Sequence, residues 1–183
     1  MADNLARAIR HGPLDGRAPS STALAAPAIR FIFRGPPEAA RLCGEAFGCA
    51  LPAEACRAKH AKGRAALWLG PDEWLLLGPE TVSPADLVSR IEAAVAAVPH
   101  SLVDVSHRQI GVEVTGPGAA ALINAGCPLD LDLRAFPVDM STRTVLAKAD
   151  ITLWRQAEEA FRIEVARSFA PYLMSFLRTA QVA

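Results

Sequence analysis

Apolar and polar residues alternate over Gln109-Ile-Gly-Val-Glu-Val114 and over Phe161-Arg-Ile-Glu-Val165. That period of two is the mark of a strand with one buried face. Ile29-Arg-Phe-Ile-Phe33 is a further β-type run of aromatic and β-branched residues, stopped by Gly35-Pro36-Pro37. Pro37 is tolerated in a first helical turn, so a helix is predicted from Pro37 through Leu42. Leu67–Leu69 and Trp74–Leu77 flank Gly70-Pro-Asp-Glu73, which predicts a hairpin. Ser83 and Pro84 offer an N-cap and a first helical residue. Leu87, Val88, Ile91, Val95 and Val98 then keep helical spacing until Pro99.

The pattern then repeats. After Gln109–Val114, Gly116-Pro117 closes the strand and Ala119–Ile123 reads as a helix. Thr144–Ala147 and Ile151–Trp154 predict strands around an Ala-Asp turn. Ser168–Leu177 predicts a terminal helix, with Ser168 as its N-cap and Phe169, Leu173, Phe176 and Leu177 on the apolar side. The two passes superimpose at a single offset of 81 residues. Ile29, Phe31, Phe33, Gly35 and Pro36 fall on Ile110, Val112, Val114, Gly116 and Pro117. The predicted fold class is therefore α+β, with two similar strand-helix-strand-strand-helix halves of ferredoxin-like type. The expected boundaries are a flexible arm over residues 1–25, a first half over 26–105 and a second half over 106–183, the two halves packed as one unit. The arm is turn-rich and aperiodic, with order expected from Ile29. Removing Met1–Ala23 is expected to leave the fold standing.

Composition narrows the classes. With 183 residues the chain buries enough surface to fold without staples. Lys+Arg and Asp+Glu are both 19. That balance lacks the basic excess by which nucleic-acid binders neutralise phosphates, so no nucleic-acid partner is expected. Charges at Asp3, Arg7 and Arg10 break the opening residues, and no apolar run reaches membrane-spanning length. A cytoplasmic chain with reduced thiols and no membrane association is expected. Zero net charge offers no repulsion, so the isolated chain is expected to self-associate.

Chemistry-bearing motifs are sparse. The sequence has no Walker loop, GxGxxG or GxSxG. Cys43, Cys49 and Cys56 match no zinc or redox spacing. They read as small hydrophobes, with a Cys/His60 metal site as the alternative. Asp104-Val-Ser-His107-Arg108 gathers polar groups between apolar segments. Its readings are a turn that satisfies local backbone groups, a surface facing a ligand or partner, or a nucleophile beside a base. Trp68, Trp74 and Trp154 read as core residues or interface anchors. Arg167 could meet an anion at a helix entry. The candidates for facing a ligand or partner are thus Trp74, His107, Arg108 and Arg167. No catalytic, cofactor-binding or metal-ligating residue is assigned.

A family resemblance adds to this reading. Leu69-Gly-Pro-Asp-Glu-Trp-Leu-Leu76, Val103-Asp-Val-Ser-His-Arg-Gln109, Pro128-Leu-Asp-Leu131, Phe136-Pro137, Thr144-Val-Leu146 and Arg167-Ser-Phe-Ala170 with Tyr172-Leu173 together resemble the gamma subunit of heterotetrameric sarcosine oxidase. The resemblance covers roughly residues 25 to 178. Asp104-Val-Ser-His107, Val114-Thr-Gly-Pro117 and Ala119–Leu122 are more distantly similar to the folate-binding domain of the glycine-cleavage aminomethyltransferase. That family carries paired carboxylates where this chain reads Arg143–Asp150 and Trp154-Arg-Gln.

The resemblance implies a non-catalytic accessory subunit. It would support assembly of a bacterial cytoplasmic complex that oxidises sarcosine to glycine and passes the one-carbon unit to tetrahydrofolate. It implies alpha, beta and delta subunits as partners, with FAD, FMN and NAD on those partners and none on this chain. The alternatives are a free-standing folate- or small-anion-binding module, using Arg108 or Arg167, and a free-standing transferase, against which the missing acids count.

Overall fold

Ten strands and four helices follow one another in residues 21–182, the part of the chain described by the computed structural model. The first seven elements are β1 (Ser21–Leu24), β2 (Ala28–Arg34), α1 (Pro37–Phe47), β3 (Ala58–Ala61), β4 (Arg64–Gly70), β5 (Glu73–Pro79) and α2 (Pro84–Val95). The next seven are β6 (Ser101–Asp104), β7 (Gln109–Thr115), α3 (Ala119–Asn124), β8 (Ser141–Leu146), β9 (Ala149–Ala157), β10 (Ala160–Ala166) and α4 (Ala170–Val182). The two series match type for type. β2 and β7 are equivalent from first residue to last at the 81-residue offset read from the sequence.

Two five-stranded antiparallel sheets result, in the orders β3-β4-β5-β2-β6 and β8-β9-β10-β7-β1. The final strand of each comes from the other series. β6 pairs with β2, placing Ser101 opposite Arg34 and Asp104 opposite Phe31. β1 pairs with β7, placing Ser21 opposite Thr115 and Leu24 opposite Val112. Arg34 and Thr115 are equivalent, as are Phe31 and Val112, so the two halves exchange their first strands in the same register. The links repeat as well: Val105 N–H donates to Arg30 C=O, and Ala25 N–H donates to the equivalent Gly111 C=O, each at 2.9 Å.

One face of each sheet is covered by helices. Phe31, Phe33, Ala66 and Leu76 pack against Phe47, Leu87, Ile91 and Val95. Val112, Val114, Leu153 and Ile163 pack against Leu122, Ile123, Leu173 and Leu177. Each such fully buried aliphatic side chain contributes about 1.5–3 kcal/mol over leaving it in water. The opposite faces meet, where Leu67, Leu69, Leu75 and Leu77 of the first sheet surround Trp154 of the second.

Local signals explain most boundaries. Pro37 opens α1, and Gly48 ends it at φ 82°, a conformation that favours glycine. The helix runs five residues past Leu42. Ser83 caps α2, its Oγ accepting from Asp86 N–H at 3.3 Å. That helix stops at Val95 rather than Val98, which is held by a tight turn onto Val95 C=O. The final helix departs further. Arg167–Phe169 form a single 3-10 turn without a side-chain cap, and α4 begins at Ala170, so Ser168 is not an N-cap. The β8–β9 turn lies at Ala147-Lys148, with Ala147 at φ 52°, and not at the Ala-Asp pair.

The strands missing from the pattern are edge strands: β1, β3 and β6. An edge strand gains its place through backbone hydrogen bonds and needs no alternating apolar face. β1 changes the reading of the arm. Ser21–Leu24 lie within the expected flexible stretch yet pair with β7, well before Ile29. The flexible arm expected over residues 1–25 is corrected at Ser21–Leu24, which form a paired strand. Residues 1–20 lie outside the described residues. Deleting residues 1–24 should lower unfolding free energy in urea by about 1–3 kcal/mol relative to deleting residues 1–20, since the β7 edge loses its ladder partners. Equal stability of the two truncations would show that β1 contributes nothing.

Candidate functional site

The turn between β6 and β7 holds most of the polar candidates. Asp104 Oδ1 accepts Ser106 N–H at 2.8 Å. Ser106 Oγ accepts Arg30 N–H at 2.9 Å and donates to Arg30 C=O at 3.4 Å. Both side chains are thus committed to backbone groups, which favours the local-satisfaction reading over a nucleophile beside a base. His107 and Arg108 are exposed. Arg108 C=O accepts Arg167 N–H at 2.9 Å, so this turn and the 3-10 turn before α4 adjoin. The structure therefore brings His107, Arg108 and Arg167 to one end of the molecule. Phe169 and Tyr172 follow there, 45% and 38% exposed.

Trp74 is not with them. It is 3% exposed on the helix-covered face, and its Nε1–H donates to Pro52 C=O at 2.8 Å. A buried, internally satisfied indole does not face a partner, and that reading of Trp74 is corrected on this ground; Trp74 does line a cavity of about 570 Å³ behind Pro52.

A cleft of about 310 Å³ opens beside the turn, between the sheets, lined among others by Arg108, Gln109, Arg143, Thr152 and Glu73. Arg143 Nη2 donates to Glu73 Oε1 at 2.6 Å, and its Nη1 to Leu69 C=O at 3.5 Å. Among the described residues lining this cleft, Glu73 is the one carboxylate, and Arg143 neutralises it. Of the segments that the aminomethyltransferase resemblance would furnish with paired acids, Arg143–Asp150 and Trp154–Gln156, Arg143 alone lines this cleft. The cleft can offer hydrogen bonds but no free carboxyl for proton transfer.

A charged layer lies between the sheets. Glu164 is fully buried. Its Oε2 accepts from Arg30 Nε across the interface at 2.6 Å, and its Oε1 from Arg162 Nε at 2.7 Å. Gly111 sits opposite Glu164 in the ladder. A Cβ there would lie 2.9 Å from Arg162 Nη2 and 3.1 Å from Glu164 Oε1, so the charged cluster occupies the space a side chain would need. Charged strand residues at 30, 162 and 164 were visible as breaks in apolar runs, but nothing local pairs positions 134 residues apart.

Arg155 was likewise missed as a structural residue. It is 2% exposed over the Phe161 ring, donating to Phe136 C=O and, at 3.0 Å, to Leu131 C=O. Burial pulls its pKa below the ordinary value. Arg155 thereby ties down the 128–137 loop, which carries Pro128–Leu131 and Phe136-Pro137. An arginine inside Ile151-Thr-Leu-Trp-Arg155 was the available signal.

Cys43, Cys49 and Cys127 are buried free thiols, and burial pushes Cys43 up to about 12. His60 lies against the Trp154 ring, centroids 6.1 Å apart, with Nε2 3.6 Å from Asp139. Among the described residues, no cluster of three His, Cys, Asp or Glu side chains is placed to hold a metal ion.

The model of the sarcosine oxidase, gamma subunit family matches residues 35–183. The chain belongs to that family. The sarcosine oxidase subunit gamma of Corynebacterium sp. (strain P-1) is 36% identical over 134 residues, spanning 73% of this chain and 64% of that relative. The match thus spans less than two thirds of the relative's own length. A chain of the heterotetrameric sarcosine oxidase from Corynebacterium sp. U-96 superimposes with TM-score 0.83 at 29% identity, covering 94% of this chain and 95% of that one. The aminomethyltransferase T of Bartonella henselae shares the fold, with TM-score 0.66 at 14% identity over 90% of this chain and 47% of that one. The expected α+β architecture, shared with an aminomethyltransferase, is therefore the observed one. Among the described residues, no helix is long and apolar enough to cross a membrane.

The charged cluster should depend on the space above Gly111. Gly111→Ala should cost about 1–3 kcal/mol in chemical denaturation, the usual range for overpacking. A variant as stable as the parent would show that the Arg162–Glu164 cluster yields freely.

Proposed function

We propose that this chain is a non-catalytic gamma subunit of a heterotetrameric sarcosine oxidase. It supports assembly of a complex that demethylates sarcosine oxidatively to glycine and transfers the one-carbon unit to tetrahydrofolate. The observation that carries this reading is the near end-to-end superposition, at 29% identity, on a chain of the Corynebacterium sp. U-96 complex. In this reading the alpha, beta and delta subunits are the partners, FAD, FMN and NAD reside on them, and the complex works in the cytoplasm. The site geometry agrees. The polar turn is spent on backbone groups, and the carboxylate in the adjoining cleft is neutralised. His107, Arg108 and Arg167 then face a partner rather than a reacting molecule, beside the exposed Phe169 and Tyr172. Arginine and aromatic residues are the types that anchor interfaces.

Co-expression with the alpha, beta and delta subunits tests this directly. The tagged chain should retain the flavin-bearing subunits on affinity purification, and the eluate should oxidise sarcosine. The chain alone should be colourless and inactive. The double variant Arg108→Ala/Arg167→Ala should weaken retention about tenfold or more while its melting temperature holds. Flavin absorbance on the isolated chain, or sarcosine oxidation by it, would overturn the assignment.

A further inference from the structure

The interface between the sheets has a second opening, of about 360 Å³, at the end marked by Ala28, Gly78 and Pro79. Its polar lining comes from Trp154, Arg162, Gln156, His60 and Arg64. Trp154 and Arg162 stand directly opposite each other on β9 and β10. Trp154 is 5% exposed, and its Nε1–H is buried without an acceptor. Arg162 Nη2 is also buried without an acceptor. A buried donor left unpaired carries a desolvation cost, and native structures rarely keep one without cause. Two such donors on adjacent strands, lining one opening, require an explanation.

The charge balance supplies it. Arg162 Nε is already bound to Glu164, whose other oxygen is taken by Arg30. Two guanidinium groups share one carboxylate, which leaves one buried positive charge in excess. No aspartate or glutamate is among the described residues lining this cleft. Arg64 is at the wall but turns its guanidinium over the Phe47 ring, 5.8 Å away.

The duplicated frame shows that the fold does not impose these donors. Pairing of Arg30 with Leu77, and of the equivalent Gly111 with Glu164, fixes the correspondence of β5 with β10. Counting along both hairpins, Leu67 and Leu75 occupy the positions of Trp154 and Arg162, and they too are opposite neighbours. At that end the two positions carry leucines, and Leu75 lines the cleft of about 310 Å³ without offering a donor. At this end the interface carries an indole N–H, a guanidinium and a cavity of ligand size.

We propose that this cleft is a carboxylate-binding site, with Arg162 Nη2 and Trp154 Nε1 as its paired donors. A carboxylate accepts two parallel N–H bonds and cancels the excess charge. The remaining wall, including Ala28, Ala65, Leu77 and Pro79, suits a short apolar body. The ligand class is a small organic acid, or a carboxylate offered by a partner chain. The inference stands apart from the subunit assignment.

The test uses the full chain labelled with 5-fluorotryptophan and sodium benzoate as the probe. The three tryptophans give separate fluorine signals, and Trp154→Phe identifies its own by loss. Benzoate should move the Trp154 signal saturably, with a dissociation constant in the millimolar range or tighter. Sodium chloride at equal ionic strength and the neutral analogue benzyl alcohol should not. By calorimetry, Trp154→Phe and Arg162→Lys should each weaken benzoate about tenfold, the loss of one charge-assisted bond. Trp154→Phe keeps the ring packing, so the test survives if Arg162→Lys fails to fold. Repeating the titration in the assembled complex distinguishes the sources. A Trp154 signal that responds there assigns a free acid, and one already at the benzoate-bound position assigns a partner's carboxylate. No saturation by roughly 50 mM, an equal shift with chloride or benzyl alcohol, or unchanged affinity in the folded variants would overturn the proposal.

Discussion

The reciprocal exchange of first strands is the constraint on which the rest of the structure depends. β1 completes the sheet of the second half, and β6 completes the sheet of the first. Neither half can leave without stripping an edge from the other. Because both exchanges run in the same register, the helix-free faces of the two sheets are held against each other. Every polar group on those faces must then find a partner inside the interface. Glu164 meets that demand for Arg30 Nε and Arg162 Nε, while Arg162 Nη2 is left without an acceptor. Breaking a buried pair of this kind costs about 3–5 kcal/mol, because the remaining charge is stranded.

Much of this was legible in the sequence. The 81-residue offset placed β2 on β7, and Gly-Pro after each strand marked both helix entries. Central strands were readable because each buries a face and so alternates or runs apolar. The exchanged strands were not, since Ser21-Thr-Ala-Leu24 and Ser101-Leu-Val-Asp104 bury almost nothing. Their positions are decided by which unpaired edge lies within reach, a tertiary fact. For the same reason the arm expected over residues 1–25 runs into β1, which starts at Ser21.

The candidate site divides along similar lines. His107, Arg108 and Arg167 were found because polar residues between apolar segments stand out, and they do converge on one end of the fold. Trp74 was misplaced because composition cannot tell a buried indole bonded to Pro52 from an exposed one. Arg162 and Trp154 could be seen individually, but their juxtaposition needs the β9–β10 register, and their vacancy of acceptors needs the opposing sheet. Pseudo-symmetry thus leaves two openings at the two ends of one interface. In one the charged groups Arg143 and Glu73 pair with each other, and in the other Trp154 Nε1 and Arg162 Nη2 keep no acceptor.

If strand exchange makes the halves one cooperative unit, their ladders must open together. Native-state hydrogen exchange across a urea series measures this at the amides of β2 and β7. Both strands should converge on one opening free energy with one denaturant slope, equal to those of global unfolding. An opening of the β2 ladder at lower free energy, with β7 still protected, would show two independently folding halves and contradict the account.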